Sequence, residues 1–361
     1  MSWKPAVLRN TFHHSRFENP RRMLELKARA GATVSLAFPA LNEGQTIGKE
    51  ILVLKAELME RFPLVDEIAV IDSGSTDDTR SVAERFGARV FSSREILKQY
   101  GSHMGKGENL WKSLYVLQGD IIIWIDADIS NIAPKFVYGL VGPLLESAEI
   151  GYVKAFYERP LRSAEGLQAS GGGRVTEILV RPLFSLYYPE LAGLVQPLSG
   201  EYAGRRRLLE TLPFSVGYGV EIGLLIDIFH RHGIGSIAQV DLDRRVHRNQ
   251  PVAALSRMSF GILSTFFQRL ERYGGSGLPE RPGTQHIGLA ARGGRYAVLA
   301  TAMPVNERPP MVEIPEYAAR FPTSVSGSAP TSVPGQSPTG APASATPPTR
   351  APTGKSAPAR R

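Results

Sequence analysis

The feature that most constrains the fold is an unbroken apolar run, residues 121–125, that ends in Asp126 and Asp128. Such a run is typical of a strand that is buried on both faces, so we predict that it forms a central strand of a mainly parallel sheet. Ligands of open α/β sheets bind beyond the carboxyl ends of the strands, where these two carboxylates fall. A hard cation, which prefers oxygen ligands and can join a carboxylate to a phosphate, would suit them. The alternative is a solvated turn before the next helix.

Strand-like segments alternate with helix-like segments along most of the chain. This pattern is typical of βαβ units and predicts an α/β fold, with a Rossmann-like, mainly parallel sheet flanked by helices. Right-handed crossovers are expected. The predicted strands are residues 33–38, 66–71, 88–91, 121–125, 152–157 and 237–242, and the predicted helices include residues 47–61, 134–146, 222–230 and 252–273.

Polar segments lie next to several of these strands. Residues 39–43 follow the first strand, Ser73 follows the second, and Lys106 opens the helix before the central strand. In a doubly wound sheet these groups should line one crevice together with the two aspartates. Backbone amides, a hydroxyl, an ammonium and carboxylates together suit a nucleoside diphosphate. Each segment alone could be a turn, a helix cap or a solvated charge, but their combination favours one site.

The composition narrows the function classes. The chain has 361 residues and no cysteine, which excludes disulfides and thiolate metal sites. No apolar run approaches the roughly 20 residues of a membrane span, and no signal peptide is recognisable, so we expect a cytoplasmic protein. The net charge is +8, and part of it lies in the tail, at Arg350, Lys355, Arg360 and Arg361. The remaining positive charge of the body would suit anionic small molecules as well as nucleic acid.

Several motifs resemble those of one enzyme family. PALNEG (39–44), DSGSTDD (72–78) and DAD (126–128), in this order, resemble the family-2-like nucleotide-sugar glycosyltransferases of the GT-A fold. Later motifs narrow the resemblance to the glucosyl- and mannosyl-3-phosphoglycerate synthases, the retaining GT81 family. These motifs are GKGENLW (105–111), GGGRVTE (171–177), QPLSGEYAGRR (196–206), GYGVEIGLLID (217–227) and AQVDLDRRVHRNQP (238–251).

The resemblance implies a retaining transfer of glucose or mannose to the 2-hydroxyl group of 3-phosphoglycerate. The donor would be UDP-glucose, GDP-mannose or GDP-glucose, the cofactor Mg²⁺, Mn²⁺ or Co²⁺, and the assembly a homodimer. The donor stays open because Ala127 stands between the aspartates, where glucosyl members of the family carry serine. The sequence identifies no carboxylate for a double displacement, which favours a front-face mechanism.

The motifs also imply roles on the donor side. Asp128 and His247 would bind the metal ion, which would stabilise the departing diphosphate as a Lewis acid. Asp126 would orient the ribose or a metal-bound water. Asp128, Glu221 and Lys106 would be catalytic, with Glu221 holding sugar hydroxyls. The implied nucleotide-sugar site consists of Pro39, Ala40, Leu41, Glu43, Ser73, Lys106, Asp126 and Ala127.

An acceptor site is implied by the GGGRVTE motif and one residue further along the chain. A glycine-rich turn that enters a helix presents backbone amides, and the forked guanidinium of an arginine suits a phosphate or a carboxylate. A flexible loop is the alternative. The implied acceptor residues are Gly173, Arg174, Thr176 and Asn249.

The chain is predicted to form one GT-A domain with an extension at each end. The tail is rich in Pro, Ser, Thr and Ala and cannot bury enough apolar surface to offset its chain entropy, so we predict disorder there. The predicted regions are a basic arm at residues 1–30, a nucleotide-sugar-binding Rossmann-like half at 31–150, an acceptor-binding and helical half at 151–321, and the tail at 322–361.

The N-terminal arm is predicted to be mobile, with a short helix only near residues 23–26. It carries two adjacent histidines, His13 and His14. Neighbouring side chains diverge on a helix or a strand, so these two rings are not predicted to share a metal ion.

Two other function classes are alternatives. A nucleotidyltransferase that makes nucleotide sugars would keep the sheet, but such enzymes usually place a glycine-rich, basic segment after the first strand, where this chain has PALNEG. A basic nucleic-acid-binding protein would require aromatic and basic residues interleaved on one surface, a pattern that the body of the chain lacks. We therefore expect neither a nucleic acid nor a membrane as a partner.

Overall fold

The structure is a computed structural model that describes residues 9–158, 161–163, 166–168, 173–246, 252–274, 285–292 and 295–302. Every described residue belongs to one compact unit, Met1–Val305. Among these residues, no helix combines the length and the apolar composition needed to cross a membrane. The predictions for His247, for Asn249 and for the tail at residues 322–361 lie outside the described residues.

The strands of the described residues are β1 (Thr11–His13), β2 (Val34–Ala40), β3 (Glu67–Asp72), β4 (Arg89–Ser92), β5 (Ile121–Trp124), β6 (Tyr152–Glu158), β7 (Leu161–Ser163), β8 (Gly166–Gln168), β9 (Tyr202–Arg205), β10 (Ile237–Arg244), β11 (Gln285–Arg292) and β12 (Arg295–Ala302). Eight of them form one sheet in the order β1-β10-β6-β9-β5-β2-β3-β4. Neighbours are parallel except at β9, which is antiparallel to both β5 and β6. The predicted mainly parallel sheet is therefore confirmed.

Apolar side chains cover both faces of the sheet. Along β5, Ile121 and Ile123 belong to one buried cluster, whereas Ile122 and Trp124 belong to another. Since successive side chains of a strand point to opposite faces, both faces of β5 are buried, as its unbroken apolar run predicts. The helices are α1 (Pro20–Ala30), α2 (Ile47–Lys55, continued by the π-helical turn Ala56–Arg61), α3 (Thr79–Arg85), α4 (Lys106–Val116), α5 (Lys135–Glu146), α6 (Arg181–Tyr187, preceded by the π-helical turn Thr176–Val180), α7 (Arg206–Leu209), α8 (Val220–His232) and α9 (Val252–Arg272).

The parallel register aligns the strand ends that carry polar loops. Ala40, the last residue of β2, pairs with Asp72 at the end of β3. Ala37 of β2 pairs with Trp124 at the end of β5. The segments that follow these three strands therefore leave the sheet at one edge.

Strand β9, which has four residues, is not among the strands predicted from the sequence. Tyr202 pairs with Trp124 of β5 on one side and with Lys154 of β6 on the other. Pairing between segments so distant in the chain leaves no local sequence pattern. It brings Gly200, just before β9, against Asp126 at the end of β5.

The mobility predicted for residues 1–30 is wrong for the described residues 9–30. Strand β1 pairs with β10 at the edge of the sheet. Helix α1 is longer than predicted, because Asn19 accepts a hydrogen bond from the Arg22 N–H at its start and Gly31 ends it at a left-handed φ of +57°. Met23 and Leu26 of α1 are buried in the core. This segment is therefore part of the domain.

Candidate active site

A cavity of about 660 Å³ opens at the edge of the sheet where β2 and β5 end. Residues predicted for the donor and residues predicted for the acceptor line this cavity together. Side chains that are more than 100 positions apart in the chain therefore line the same cavity. The predicted residues on its wall are Pro39, Ala40, Leu41, Glu43, Ser73, Lys106, Asp126, Ala127, Asp128, Gly173, Arg174, Thr176 and Glu221.

The loops that follow β2 and β3 are tied together by hydrogen bonds. The Asn42 N–H donates to Ser75 Oγ (2.9 Å), and Asn42 Oδ1 accepts from the Thr76 N–H (2.8 Å). Asn42 has a left-handed φ of +59°, which asparagine adopts more readily than most residues. The Glu43 N–H donates to Thr79 Oγ1 (2.8 Å). These bonds fix the loop that carries the predicted base and ribose contacts.

Helix α4 connects the second loop to the aspartates. Asn109 of α4 donates to Ser73 Oγ (2.7 Å) and so holds the residue that follows β3. Lys106, the first residue of α4, donates to Asp126 Oδ1 (2.5 Å) and lies 3.2 Å from Glu221 Oε1. Burial would lower the pKa of Lys106, but the carboxylates of Asp126 and Glu221 outweigh burial and raise it. Lys106 is therefore a cation at the floor of the cavity.

Arg245, just after β10, is a second cation beside the aspartates. Its side chain is 3% exposed, and Nη2 lies 3.0 Å from Asp126 Oδ2 and 2.8 Å from Asp128 Oδ1. Its Nε lies 3.0 Å from Glu201 Oε1. Burial would lower the pKa of Arg245, but Glu201 and the two aspartates outweigh burial and raise it. Burial raises the pKa of Asp128, and Arg245 opposes that shift.

A buried carboxyl group supports the turn at residues 126–128. Glu50 of α2 is fully buried, and its Oε1 accepts the Ile129 N–H (2.8 Å). The Thr46 hydroxyl donates to the Ala127 carbonyl (2.6 Å). Burial raises the pKa of Glu50 to about 9, and Asp128 adds to the shift, so this carboxyl group is neutral at pH 7.

The segment before β9 lies directly against Asp126. A Cβ atom at position 200 would be 1.8 Å from Asp126 Oδ2, so the site requires glycine there. The Ser199 carbonyl accepts a hydrogen bond from Lys154 of β6 (2.5 Å), whose Nζ lies 3.9 Å from the centre of the Tyr202 ring. Burial lowers the pKa of Lys154 to about 7. A buried lysine thus fixes the backbone that contacts Asp126.

The predicted acceptor residues lie at the start of the helical segment that leads into α6. Gly173 has a φ of +86°, a left-handed conformation that favours glycine, and its carbonyl accepts the Glu177 N–H (3.1 Å). Arg174 and Thr176 follow on the same wall of the cavity. A helix start directs backbone amides towards an anion, and an arginine adds two parallel donors.

Similar sequences decide the family. The model of glycosyl transferase family 2 matches residues 35–212. A glucosyl-3-phosphoglycerate synthase from Petrotoga mobilis is 56% identical over 318 residues, which cover 88% of this chain and 98% of that protein. The chain belongs to the glucosyl-3-phosphoglycerate synthase family. Another member, from Mycolicibacterium paratuberculosis, is 45% identical over 292 residues, covering 80% of this chain and 86% of that protein.

Solved structures agree with membership of the glucosyl-3-phosphoglycerate synthase family. Mannosyl-3-phosphoglycerate synthase from Rubrobacter xylanophilus is 37% identical, with a TM-score of 0.69 over 86% of this chain and 99% of that chain. Glucosyl-3-phosphoglycerate synthase from Mycobacterium tuberculosis, in complex with Mn²⁺, UDP and phosphoglyceric acid, is 42% identical, with a TM-score of 0.66 over 85% of this chain and 99% of that chain. The predicted GT-A fold and the prediction of a glycosyltransferase are confirmed.

The side chains at the turn fit a divalent cation of the kind found with glucosyl-3-phosphoglycerate synthases. Asp126 and Asp128 are 28% and 26% exposed, so both carboxylates are accessible from the cavity. Carboxylate oxygens are the ligands that Mg²⁺ and Mn²⁺ prefer. The predicted third ligand, His247, lies outside the described residues, as does Asn249.

Sequence reasoning missed several residues around this family's site. Arg245 stands two positions before His247 within a motif that we quote, but nothing local shows that it faces the aspartates. Glu50 left a clearer signal: it is an acid among Ile47, Ile51 and Leu54 on the buried face of α2. An acid at such a position is either paired or neutral.

Proposed function

We propose that this chain transfers glucose from UDP-glucose to the 2-hydroxyl group of 3-phosphoglycerate, with retention of the anomeric configuration. The observation that supports this most strongly is that one cavity joins the Asp126–Asp128 cluster to the glycine–arginine–threonine turn at residues 173–176. A diphosphate and a phosphorylated acceptor are both anionic, and each would meet its own set of donors there.

The donor would occupy the half of the cavity below the loops that follow β2 and β3. Pro39, Ala40, Leu41 and Glu43 would contact the uracil and the ribose, and Ser73 would complete that pocket. Lys106 would neutralise charge on the diphosphate. Glu221, which lies 3.2 Å from Lys106 Nζ at the start of α8, would accept hydrogen bonds from hydroxyls of the glucose.

A divalent cation, Mg²⁺ or Mn²⁺, would be held by Asp128 with His247 and would supply Lewis-acid stabilisation of the departing UDP. Asp126 would remain with Lys106 and orient the ribose or a coordinated water. Arg245 holds both aspartates in place from the protein side, which reduces the repulsion between two neighbouring carboxylates.

The acceptor would bind through its phosphate or carboxylate. The amides at residues 173–176 and the Arg174 guanidinium would hold one anionic group, and the Thr176 hydroxyl would add a hydrogen bond. Asn249, which lies outside the described residues, would also contact the acceptor. Such fixation places the 2-hydroxyl group beside the anomeric carbon and lowers the entropic cost of the reaction.

We favour a front-face displacement. The bond between the anomeric carbon and the phosphate oxygen breaks, the 2-hydroxyl oxygen attacks from the same face, and its proton passes to the departing phosphate oxygen. Asp126 and Glu221 both pair with Lys106, and Asp128 pairs with Arg245, so the cavity's central carboxylates are engaged with cations rather than free as nucleophiles. Trapping of a covalent glycosyl-enzyme by mass spectrometry would overturn this mechanism.

Glucose is favoured over mannose as the transferred sugar because the relative at 56% identity is a glucosyl enzyme, whereas the mannosyl enzyme is 37% identical. The test is a donor comparison with purified protein, Mg²⁺ and 3-phosphoglycerate, in which UDP-glucose, GDP-glucose and GDP-mannose are followed by release of the nucleoside diphosphate. We expect the fastest turnover with UDP-glucose and little without acceptor. Preference for GDP-mannose would refute the choice of donor.

The same experiment includes two controls. Glycerate, which lacks the phosphate, should be a poor acceptor if the turn at residues 173–176 binds the phosphate. UTP with glucose 1-phosphate should release no pyrophosphate, whereas a nucleotidyltransferase would release it.

A further inference from the structure

A cluster of two histidines and an aspartate lies at the edge of the sheet, outside the cavity. His13 ends β1 and His14 begins a short 3₁₀ turn, while Asp243 lies near the end of β10, the neighbouring strand. His13 Nε2 lies 2.9 Å from Asp243 Oδ1, and His14 Nε2 lies 2.6 Å from Asp243 Oδ2. No residue of this cluster lines the cavity.

The two histidine rings converge, contrary to what their adjacency predicts. His13 has extended backbone angles, φ −104° and ψ 143°, whereas His14 is already in the 3₁₀ turn. This change of conformation between neighbours brings the ring centres to 4.3 Å, with an angle of 35° between the planes. The divergence rule holds within a regular element but not across the end of one.

Asp243 is held in an unusual conformation beside them. Its φ is +63°, and the pairing of β10 with β6 shifts register between Asp241 and Arg244. The Asp243 carboxylate is contacted by Lys135 Nζ, His13 Nε2 and His14 Nε2. A strained residue fixed by its surroundings often marks a site with a role.

We propose that His13, His14 and Asp243 bind a divalent transition metal of the zinc class, at a site separate from the cavity. One ligand atom from each of the three residues lies within 4.8 Å of the others. Two imidazole nitrogens and a carboxylate oxygen are a donor set that zinc accepts, with water in the fourth position. The proposal does not depend on the proposed function.

The surroundings suit this role. Glu18 Oε1 lies 2.9 Å from His14 Nδ1, while His14 Nε2 faces Asp243, so the Glu18 carboxylate can help to orient the ring for a metal ion at Nε2. His13 Nδ1 accepts the Ser15 backbone N–H (3.3 Å) and lies 2.8 Å from Ser15 Oγ, so Ser15 fixes the orientation of the His13 ring. His14 is buried, whereas His13 is about half exposed and gives access from solvent.

Lys135 is compatible with the metal ion. Its Nζ donates to Asp243 Oδ2 (2.5 Å), so Oδ1 can bind the metal while Oδ2 keeps the lysine. The cluster brings together the two carboxylates of Glu18 and Asp243 and the single ammonium group of Lys135. A divalent cation is therefore attracted even with the lysine in place.

The test uses the full chain with Asp128→Asn, which weakens the proposed metal site of the cavity. After chelator treatment and dialysis against micromolar Zn²⁺ or Co²⁺, we expect about one metal ion per chain by elemental analysis. Adding His13→Gln or Asp243→Asn removes a proposed ligand and should lower the affinity for Zn²⁺ at least tenfold. Adding Glu18→Gln, which changes the residue beside His14, should lower that affinity about tenfold. Adding His232→Gln, an exposed histidine at the end of α8, is the matched control and should change nothing.

Folding is checked in the same samples. Because His13 is exposed, His13→Gln should keep the circular dichroism spectrum of the parent, and Zn²⁺ should raise the unfolding midpoint of the parent but not of this variant. The proposal is overturned if the Asp128→Asn chain binds no Zn²⁺ or Co²⁺. It is also overturned if His13→Gln and His232→Gln bind as much metal as their parent.

Discussion

The two walls of the cavity are built in different ways. The donor wall consists of residues 39–43, Ser73, Asp126 and Asp128, which lie at or just beyond the carboxyl ends of parallel strands, together with Lys106 at the start of α4 and Glu221 at the start of α8. The acceptor wall is formed by residues 173–176, at the start of the helical segment before α6, and by Gly200, which precedes β9, the strand that is antiparallel between β5 and β6. The donor wall thus follows mainly from the parallel sheet, whereas Gly200 of the acceptor wall depends on the long-range pairing of β9.

The difference between the walls predicts separable defects. Changes in the donor wall should affect turnover whatever the acceptor concentration, whereas changes in the acceptor wall should appear first in the KM for 3-phosphoglycerate. Asp126 of the donor wall lies against Gly200 of the acceptor wall, so changes near this contact should affect both parameters.

The largest effect is expected for Asp128→Ala. This change removes the carboxylate proposed to hold the cation, and several kcal/mol of charge stabilisation should be lost, so kcat should fall at least about 1,000-fold. UDP release at saturating substrates measures it, and circular dichroism should show an unchanged fold. Glu84→Gln, at an exposed carboxylate on α3, is the control. Substantial metal-dependent turnover by Asp128→Ala would show that Asp128 is not needed to hold the cation.

A change at the contact between the walls should come next. Gly200→Ala would place a methyl group 1.8 Å from Asp126 Oδ2, which must displace that carboxylate. A displacement of this size near reacting groups costs about 100-fold in rate. The matched control is Gly217→Ala, on the same cavity, where no atom lies within 4 Å of the added Cβ. Equal activities of the two variants would show that the close contact is unimportant.

Arg174→Ala tests the acceptor wall alone. Loss of a charge-assisted hydrogen bond of about 1.5–3 kcal/mol should raise the KM for 3-phosphoglycerate by about 10- to 100-fold. The KM for UDP-glucose should stay within about twofold of the wild-type value. Arg174→Lys keeps the charge but loses the forked guanidinium, so its KM for 3-phosphoglycerate should lie between those of the wild type and Arg174→Ala. Initial rates at varied concentrations of each substrate decide the matter. A rise confined to the KM for UDP-glucose would show that the acceptor binds elsewhere.

The smallest effect on turnover is expected for Glu50, which supports the turn at residues 126–128 without lining the cavity, so its role is tested through stability. Its pKa is raised to about 9 in the folded chain, so unfolding near neutral pH releases a proton, and stability should fall as pH rises from about 4.5 to 9. The glutamine of Glu50→Gln stays neutral at every pH. The loss of unfolding free energy between pH 5 and pH 7 should therefore be smaller in this variant, by up to about 3 kcal/mol. Urea unfolding at several pH values measures it. Identical slopes in both proteins would mean that Glu50 is ionised.

The contrast between the walls also explains what the sequence predicts. The apolar run before Asp126 and the helices that begin at Ile47 and Lys135 follow local periodicity, and the structure has them within a few residues of their predicted bounds. Strand β9, the pairing of β1 with β10 and the approach of Arg245 to the aspartates depend on contacts far apart in the chain. No local pattern encodes such contacts.

The central claim is that one cavity holds both substrates, each on its own wall. A crystal structure of the chain with UDP, Mn²⁺ and 3-phosphoglycerate tests this most directly. We predict uracil at residues 39–43, the cation on Asp128, and the acceptor's phosphate or carboxylate at residues 173–176 in the same cavity. An acceptor bound elsewhere, or a nucleotide that also covers residues 173–176, would contradict the account.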